Sequence, residues 1–213
     1  MNFKDVLNNR KSVREFKKES VGKEIIAEII MEAGRAPSWV NAQEWKVFVA
    51  TGNTLDNIRN EYIKLSNDGI KGYADFDVTH RTSWSEQAQK NMKEFIEYAN
   101  SMNVGPRWDE LENSFFNAPA VLFLCVPKDA NKWAVLDLGG FEQTLLLAAT
   151  SRGLGSIPAY NLVKYPDVIR KYIDISDEYD IAVGVAVGYV ADTQINKIQS
   201  SRMTLDKFVI WKD

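Results

Sequence analysis

A chain of 213 residues can bury a substantial core, and its 45% hydrophobic and 26% charged residues argue against extended disorder. A net charge of −3, from 26 basic and 29 acidic residues, argues against nucleic acid as principal partner but leaves room for a local basic patch on one small anion. No stretch approaches the roughly twenty apolar residues of a spanning helix. Met1–Asp5 has no apolar signal core, and one cysteine cannot form an internal disulfide, so a cytoplasmic protein with no membrane partner is expected.

Asn2 can cap a short helix through Val6 and Leu7, which delivers the cluster Arg10-Lys11-Ser12-Val13-Arg14. Two guanidinium forks, an ammonium and a hydroxyl are the donor set that suits a phosphate. From Gly22 to Arg35, Ile25, Ile29 and Ala33 recur at four-residue intervals, the core stripe of a second helix, and Pro37 ends it. The loop Ala36–Trp45 holds Ser38, Asn41 and Gln43, short polar side chains that suit a polyol or a heteroaromatic edge. Trp45–Ala50 reads as a strand, and a helix from Thr54 to about Leu65 follows it.

Residues 62–108 read as an excursion from the main core, with a polar helix over Ser85–Met102 that stops at Asn103–Pro106. Its aromatics, Trp84 and Trp108 among them, either pack a subdomain or line the mouth of a site for a flat organic substrate. Ala120–Val126 is apolar on both faces, hence a central strand. Asn131–Arg152 is a long helix, apolar around most of its circumference. Gly139-Gly140 at its middle costs roughly 1 kcal/mol per glycine, which points to another backbone passing close, in this chain or in a second copy. A helix at Pro166–Tyr172, a buried strand at Asp180–Val190 and a last strand at Leu205–Trp211 complete a mixed α and β pattern of three or four strands covered by helices.

Several kinds of chemistry lack their residues. Gly153-x-Gly155-x-x-Pro158 is only part of a dinucleotide fingerprint, and no phosphate loop for ATP or GTP occurs. Cys125, inside an apolar strand, reads as a small buried hydrophobe rather than a nucleophile. His80 is the sole histidine and has no evident serine or cysteine partner, so neither a triad nor a zinc or iron site is expected. Catalysis would have to come from a bound organic cofactor, for which a protein supplies binding, orientation and electrostatics.

Five short motifs, in order along nearly the whole chain, carry a resemblance. They are Arg10-Lys11-Ser12-Val13-Arg14-x-Phe16, Ala36-Pro37-Ser38-x-x-Asn41-x-Gln43-x-Trp45, Gly153-Leu154-Gly155-Ser156-x-Pro158, Val187-Gly188-Tyr189 and Ser201-Arg202-x-x-Leu205. The chain resembles the nitroreductase-like flavoproteins, FMN-dependent NAD(P)H oxidoreductases. The resemblance implies one domain over 1–213 with an α+β fold, a central, mostly antiparallel sheet surrounded by helices, and an intertwined homodimer with shared FMN sites. It implies that Arg10, Ser12 and Arg202 hold the FMN phosphate, with Lys11 adding charge or a main-chain contact. Ser200 stands where a second phosphate-binding lysine is common, for which Lys197 could substitute. Arg14 would approach the pyrimidine edge of the flavin. Ser38, Asn41 and Gln43 would reach the ribityl chain or ring edge, in the partner's site. Pro158, Ala159, Tyr160 and Asn161 would run beside the ring, where a backbone N–H donates to N5. The implied activity is ping-pong transfer of hydride from NADH or NADPH through the flavin to a nitroaromatic, a quinone or a similar small acceptor, with Trp84 and Trp108 at the acceptor mouth. A flavin-binding sensor, or a sibling reaction such as dehalogenation or ene reduction, remains an alternative.

Overall fold

Two apolar strands, each with neighbours on both sides, form the middle of the molecule. In the computed structural model, which describes residues 1–212, β1 (Lys46–Thr51), β2 (Ala120–Pro127), β3 (Gly155–Ala159) and β4 (Tyr179–Gly188) form one sheet in the order β1-β2-β4-β3. Every pairing is antiparallel. β2 is buried along almost all its length because helices cover both faces of the sheet. One face packs under α2 (Lys23–Ala33) and α6 (Lys132–Ser151), through Ile29, Leu122, Phe141 and Leu145. The other packs under α3 (Gly52–Asn67) and α7 (Pro166–Tyr172), through Ile58, Tyr62, Phe123 and Ile169. The chain has an α+β fold.

α1 (Phe3–Asn9) begins with a capping box, in which the Asn2 side chain accepts from the Asp5 amide at 3.0 Å and the Asp5 carboxylate accepts from the Asn2 amide at 3.4 Å. The arm that follows it runs along the free edge of β3. Ser12 bridges Ser156 in parallel, the Val13 amide donates to the Ser156 carbonyl at 3.0 Å, and Phe16 bridges Val190. Gly155 makes this approach possible, since a Cβ there would lie 2.6 Å from a Val13 methyl and 2.8 Å from one of Val190. The glycines of 153–155 therefore serve a turn, with Gly153 at φ +76°, and a close backbone passage rather than a dinucleotide.

Two elements escaped the sequence pattern. α5 (Gly105–Asn113) follows directly on α4 (Glu86–Ser101), because Pro106 opens the new helix as well as forbidding continuation of the old one. β3 is only five residues long and contains a proline, tolerated at this edge position. One expectation is corrected, and another is narrowed to its second alternative. Leu205–Trp211 is not a strand: a single 3-10 turn at Leu205–Lys207 is followed by Phe208, Ile210 and Trp211, all more than half exposed. Among the described residues Gly139-Gly140 meets no close backbone of this chain, for the nearest atom to an added Cβ is Ala36 Cβ at 3.9 Å from Gly140, and Gly139 faces open space. Among the described residues no helix is long and apolar enough to cross a membrane.

Candidate functional site

The arm and the C-terminal tail meet at a cavity of about 210 Å³. Arg10, Lys11, Ser12 and Arg14 line one wall, and Ile198, Gln199, Ser200 and Arg202 the other. Residues nearly two hundred positions apart thus converge. Four cations and no carboxylate line this cavity of an acidic protein, and none of the four forms an ion pair among the described residues. Burial, and after it the charge of Arg202, lowers the Arg10 pKa, so this guanidinium bears both desolvation and like-charge repulsion. An anion placed between the two relieves the repulsion. Arg202 is curled on its own loop, its Nη1 donating to Ser200 Oγ at 2.7 Å and to the Ser201 carbonyl at 2.8 Å. Lys197 is exposed and does not line the cavity.

Asn196 holds the two walls together, and it is the residue that motif reading missed. Its side chain is buried and uses its full bonding capacity. Oδ1 accepts from the amides of Arg14 at 2.7 Å and Glu15 at 3.1 Å, and Nδ2 donates to the carbonyls of Glu15 at 2.7 Å and Ala191 at 2.8 Å. Its own carbonyl accepts from Lys11 Nζ at 2.5 Å. A lone asparagine in a polar tail gives no sequence signal for such a role. Glu15, beside it, pairs with Arg107 at the start of α5, which ties the arm to the helical excursion.

Arg14 also reaches the aromatics of the excursion. Its guanidinium lies 4.4 Å from the Trp108 ring centroid and 5.7 Å from that of Phe95. Trp108 and Phe95 also line a larger cavity of about 510 Å³ between α4 and α5, together with Met92, Ile96, Arg81 and Glu112. Trp84 lines neither cavity; it is half exposed and donates from Nε1 to the Thr79 carbonyl at 3.3 Å.

The Ser38–Gln43 loop is not brought to the cationic cavity of the same chain. It turns with Val40, Asn41 and Gln43 at positive φ, and its polar groups bond one another. The Gln43 amide donates to Ser38 Oγ at 3.1 Å, and Gln43 Nε2 to Asn41 Oδ1 at 3.0 Å. The Trp39 amide donates to Asp137 of α6 at 2.8 Å, and the Trp39 and Trp133 rings pack 4.9 Å apart, both exposed. Pro158 and Ala159 end β3 half-buried, and Tyr160 and Asn161 begin the 3-10 turn after it, with Tyr160 exposed.

Cys125 is fully buried in β2, and burial pushes its thiol up to about 12, so it is no nucleophile at neutral pH. Among the described residues no group of three His, Cys, Asp or Glu side chains is arranged to hold a metal ion.

The family model described as "Nitroreductase family" matches residues 7–189. The chain belongs to the nitroreductase family. Family relatives include a 4-nitrobenzoate reductase of Pseudomonas putida, 26% identical over 94% of this chain and 91% of its own length. Nitroreductase NfnB of Mycolicibacterium smegmatis is 27% identical, over 95% of this chain and 89% of its own. Among solved structures, the FMN-dependent nitroreductase NfnB from Mycobacterium smegmatis in complex with NADPH superposes with a TM-score of 0.91, covering 99% of this chain and 97% of that one at 23% identity. The nitroreductase fold is thus shared almost from end to end.

Proposed function

We propose that this chain is an FMN-dependent NAD(P)H oxidoreductase that reduces small electron-poor acceptors, nitroaromatics or quinones, as a cytoplasmic homodimer with shared flavin sites. One observation carries the reading: Arg10 and Ser12 from one end of the chain face Ser200 and Arg202 from the other across a cavity that, among the described residues, no carboxylate lines. That donor set fits a phosphate monoester dianion, which offers several acceptor oxygens and two charges. The relatives named above, a 4-nitrobenzoate reductase and an FMN-dependent nitroreductase crystallised with NADPH, support the cofactor and the acceptor class.

In this reading Arg10, Ser12 and Arg202 hold the phosphate, with Lys11 adding charge. Arg14 lies toward the pyrimidine edge, and Pro158, Ala159, Tyr160 and Asn161 run beside the ring. When bound, FMN would supply the two-electron redox chemistry that links the nicotinamide to the acceptor. The chain orients both partners and keeps water from the reacting face, work that calls for stacking surfaces more than acid–base groups. The excursion over residues 62–108 belongs to the same domain, with Trp84 and Trp108 bordering the acceptor mouth.

The second subunit is inferred from two features. The exposed face of α6 carries Val135, Leu136 and Gly139, continuous with the Trp39–Trp133 pair, a patch suited to a helix of another copy. Ser38, Asn41 and Gln43, absent from the cavity of their own chain, are then free to serve the neighbouring one.

The visible spectrum of the purified protein tests the cofactor, and anaerobic addition of NADPH or NADH tests the activity. A yellow protein that bleaches within seconds is expected. A preparation that stays colourless after incubation with excess FMN overturns the proposal, and a yellow one that never bleaches leaves a flavin binder instead of an enzyme.

A further inference from the structure

Arg14 is held by its face. The indole of Trp108 and the ring of Phe95 flank the guanidinium, and those two rings pack edge to face with centroids 6.2 Å apart. Stacking of this kind uses the π surface of the cation and leaves its N–H edge unused. Of the five donors, only Nη1 makes a hydrogen bond among the described residues, to the Ser12 carbonyl at 3.1 Å. The charge of Glu112 acts on the group, yet among the described residues the two form no ion pair. Glu112 Oε1 accepts instead from Trp108 Nε1 at 2.6 Å, one turn along α5. A carboxylate in direct contact with arginine forms a bidentate pair that consumes two donors. Here the carboxylate bonds the indole, and the indole stacks on the cation.

We propose that Trp108 and Glu112 are positioning residues for Arg14: the indole clamps the guanidinium and keeps the balancing carboxylate off its donor edge, so that those donors stay available to the cofactor. The inference rests on the FMN reading and extends it to two residues of α5. The stack is also a wall between two spaces, since Arg14 lines the cationic cavity and Trp108 and Glu112 line the larger one. An acceptor that packs on the indole therefore touches the ring that holds the flavin-facing cation.

Flavin fluorescence titrations of Trp108→Ala, Glu112→Gln and the double variant test this, with Arg14→Ala as reference. Trp108→Ala frees Arg14 to pair with Glu112, and the FMN Kd is expected to rise about tenfold or more, as in Arg14→Ala. The double variant has no carboxylate to capture the arginine, and its Kd is expected to return to within about threefold of wild type. Glu112→Gln alone keeps an oxygen for the indole N–H and stays within about threefold. Wild-type affinity in Trp108→Ala, a double variant as weak as the single one, or a tenfold loss in Glu112→Gln alone overturns the proposal. An apoprotein NMR spectrum separates this outcome from failure of the FMN reading. The Arg14 side-chain protons are expected upfield from ring current in wild type and near random-coil positions in Trp108→Ala. If they are not shifted in wild type, the clamp does not exist whether or not flavin binds.

Discussion

The cationic corner and the Ser38–Gln43 loop both gather polar side chains, yet the chain treats them in opposite ways. The corner is clipped to the sheet edge, stapled by buried Asn196 and left with unpaired cations facing a cavity. The loop is exposed, bonds its own polar groups to each other and turns through three positive φ angles. The corner is organised within one chain, whereas the loop is not brought to it. Preorganisation is concentrated where like charges must be held together, because only a rigid scaffold keeps Arg10 and Arg202 close without a ligand.

The strongest way to break this contrast is to remove the staple. Asn196→Ala leaves the Arg14 and Glu15 amides without partners in a buried site, while the Glu15 and Ala191 carbonyls each lose one of two bonds and keep the one from the Ala191 or Thr193 amide. Each such group costs about 1–3 kcal/mol when orphaned, with partial relief from relaxation. A loss of about 3 kcal/mol in urea unfolding is expected, together with loss of FMN on gel filtration. If unfolding stability changes by less than about 0.5 kcal/mol, the corner is not held by Asn196 and the comparison fails at its root.

Next in size is charge removal. Arg10→Ala and Arg202→Ala each delete a charge-assisted contact of about 1.5–3 kcal/mol, or roughly ten- to hundredfold in FMN affinity. Riboflavin has the ring and ribityl chain but no phosphate, so its affinity should hardly change. Equal losses for FMN and riboflavin would falsify the phosphate assignment, because they would mean the arginines act on the ring.

The legible part of this molecule was what repeats or clusters. The apolar run of β2 and the stripe of α2 each state their role within a few residues, and the arm Arg10–Arg14 states its charge, which the fold places on a cavity wall. The illegible part was what depends on one distant partner. Asn196 looks like any tail asparagine until residues 14, 15 and 191 surround it. Trp108 could be read only as mouth or packing, since its indole N–H and its face are assigned by Glu112 and Arg14. Leu205–Trp211 has the composition of a strand, but β1 and β3 offer it no pairing, and apolar residues alone do not make a sheet. The Gly139-Gly140 pair named a close approach without its location, and among the described residues no backbone of this chain supplies it.

The smallest predicted effect sharpens the loop side of the contrast. Val40 sits at φ +47° with 86% of its surface exposed, a strained conformation for a β-branched residue. Val40→Gly relieves the strain at the cost of backbone entropy in the unfolded chain, for a net gain of about 1 kcal/mol or less. If the side chain touches only solvent, that gain is the same at every protein concentration. If a second subunit covers it, the gain shrinks as concentration rises and the association equilibrium is drawn in, because the wild-type isopropyl group is then buried. Urea unfolding at two protein concentrations separates these cases. A loss of stability at low concentration, where no partner contributes, would mean that the loop is packed by its own chain, and the division between a self-sufficient corner and a dependent loop would no longer stand.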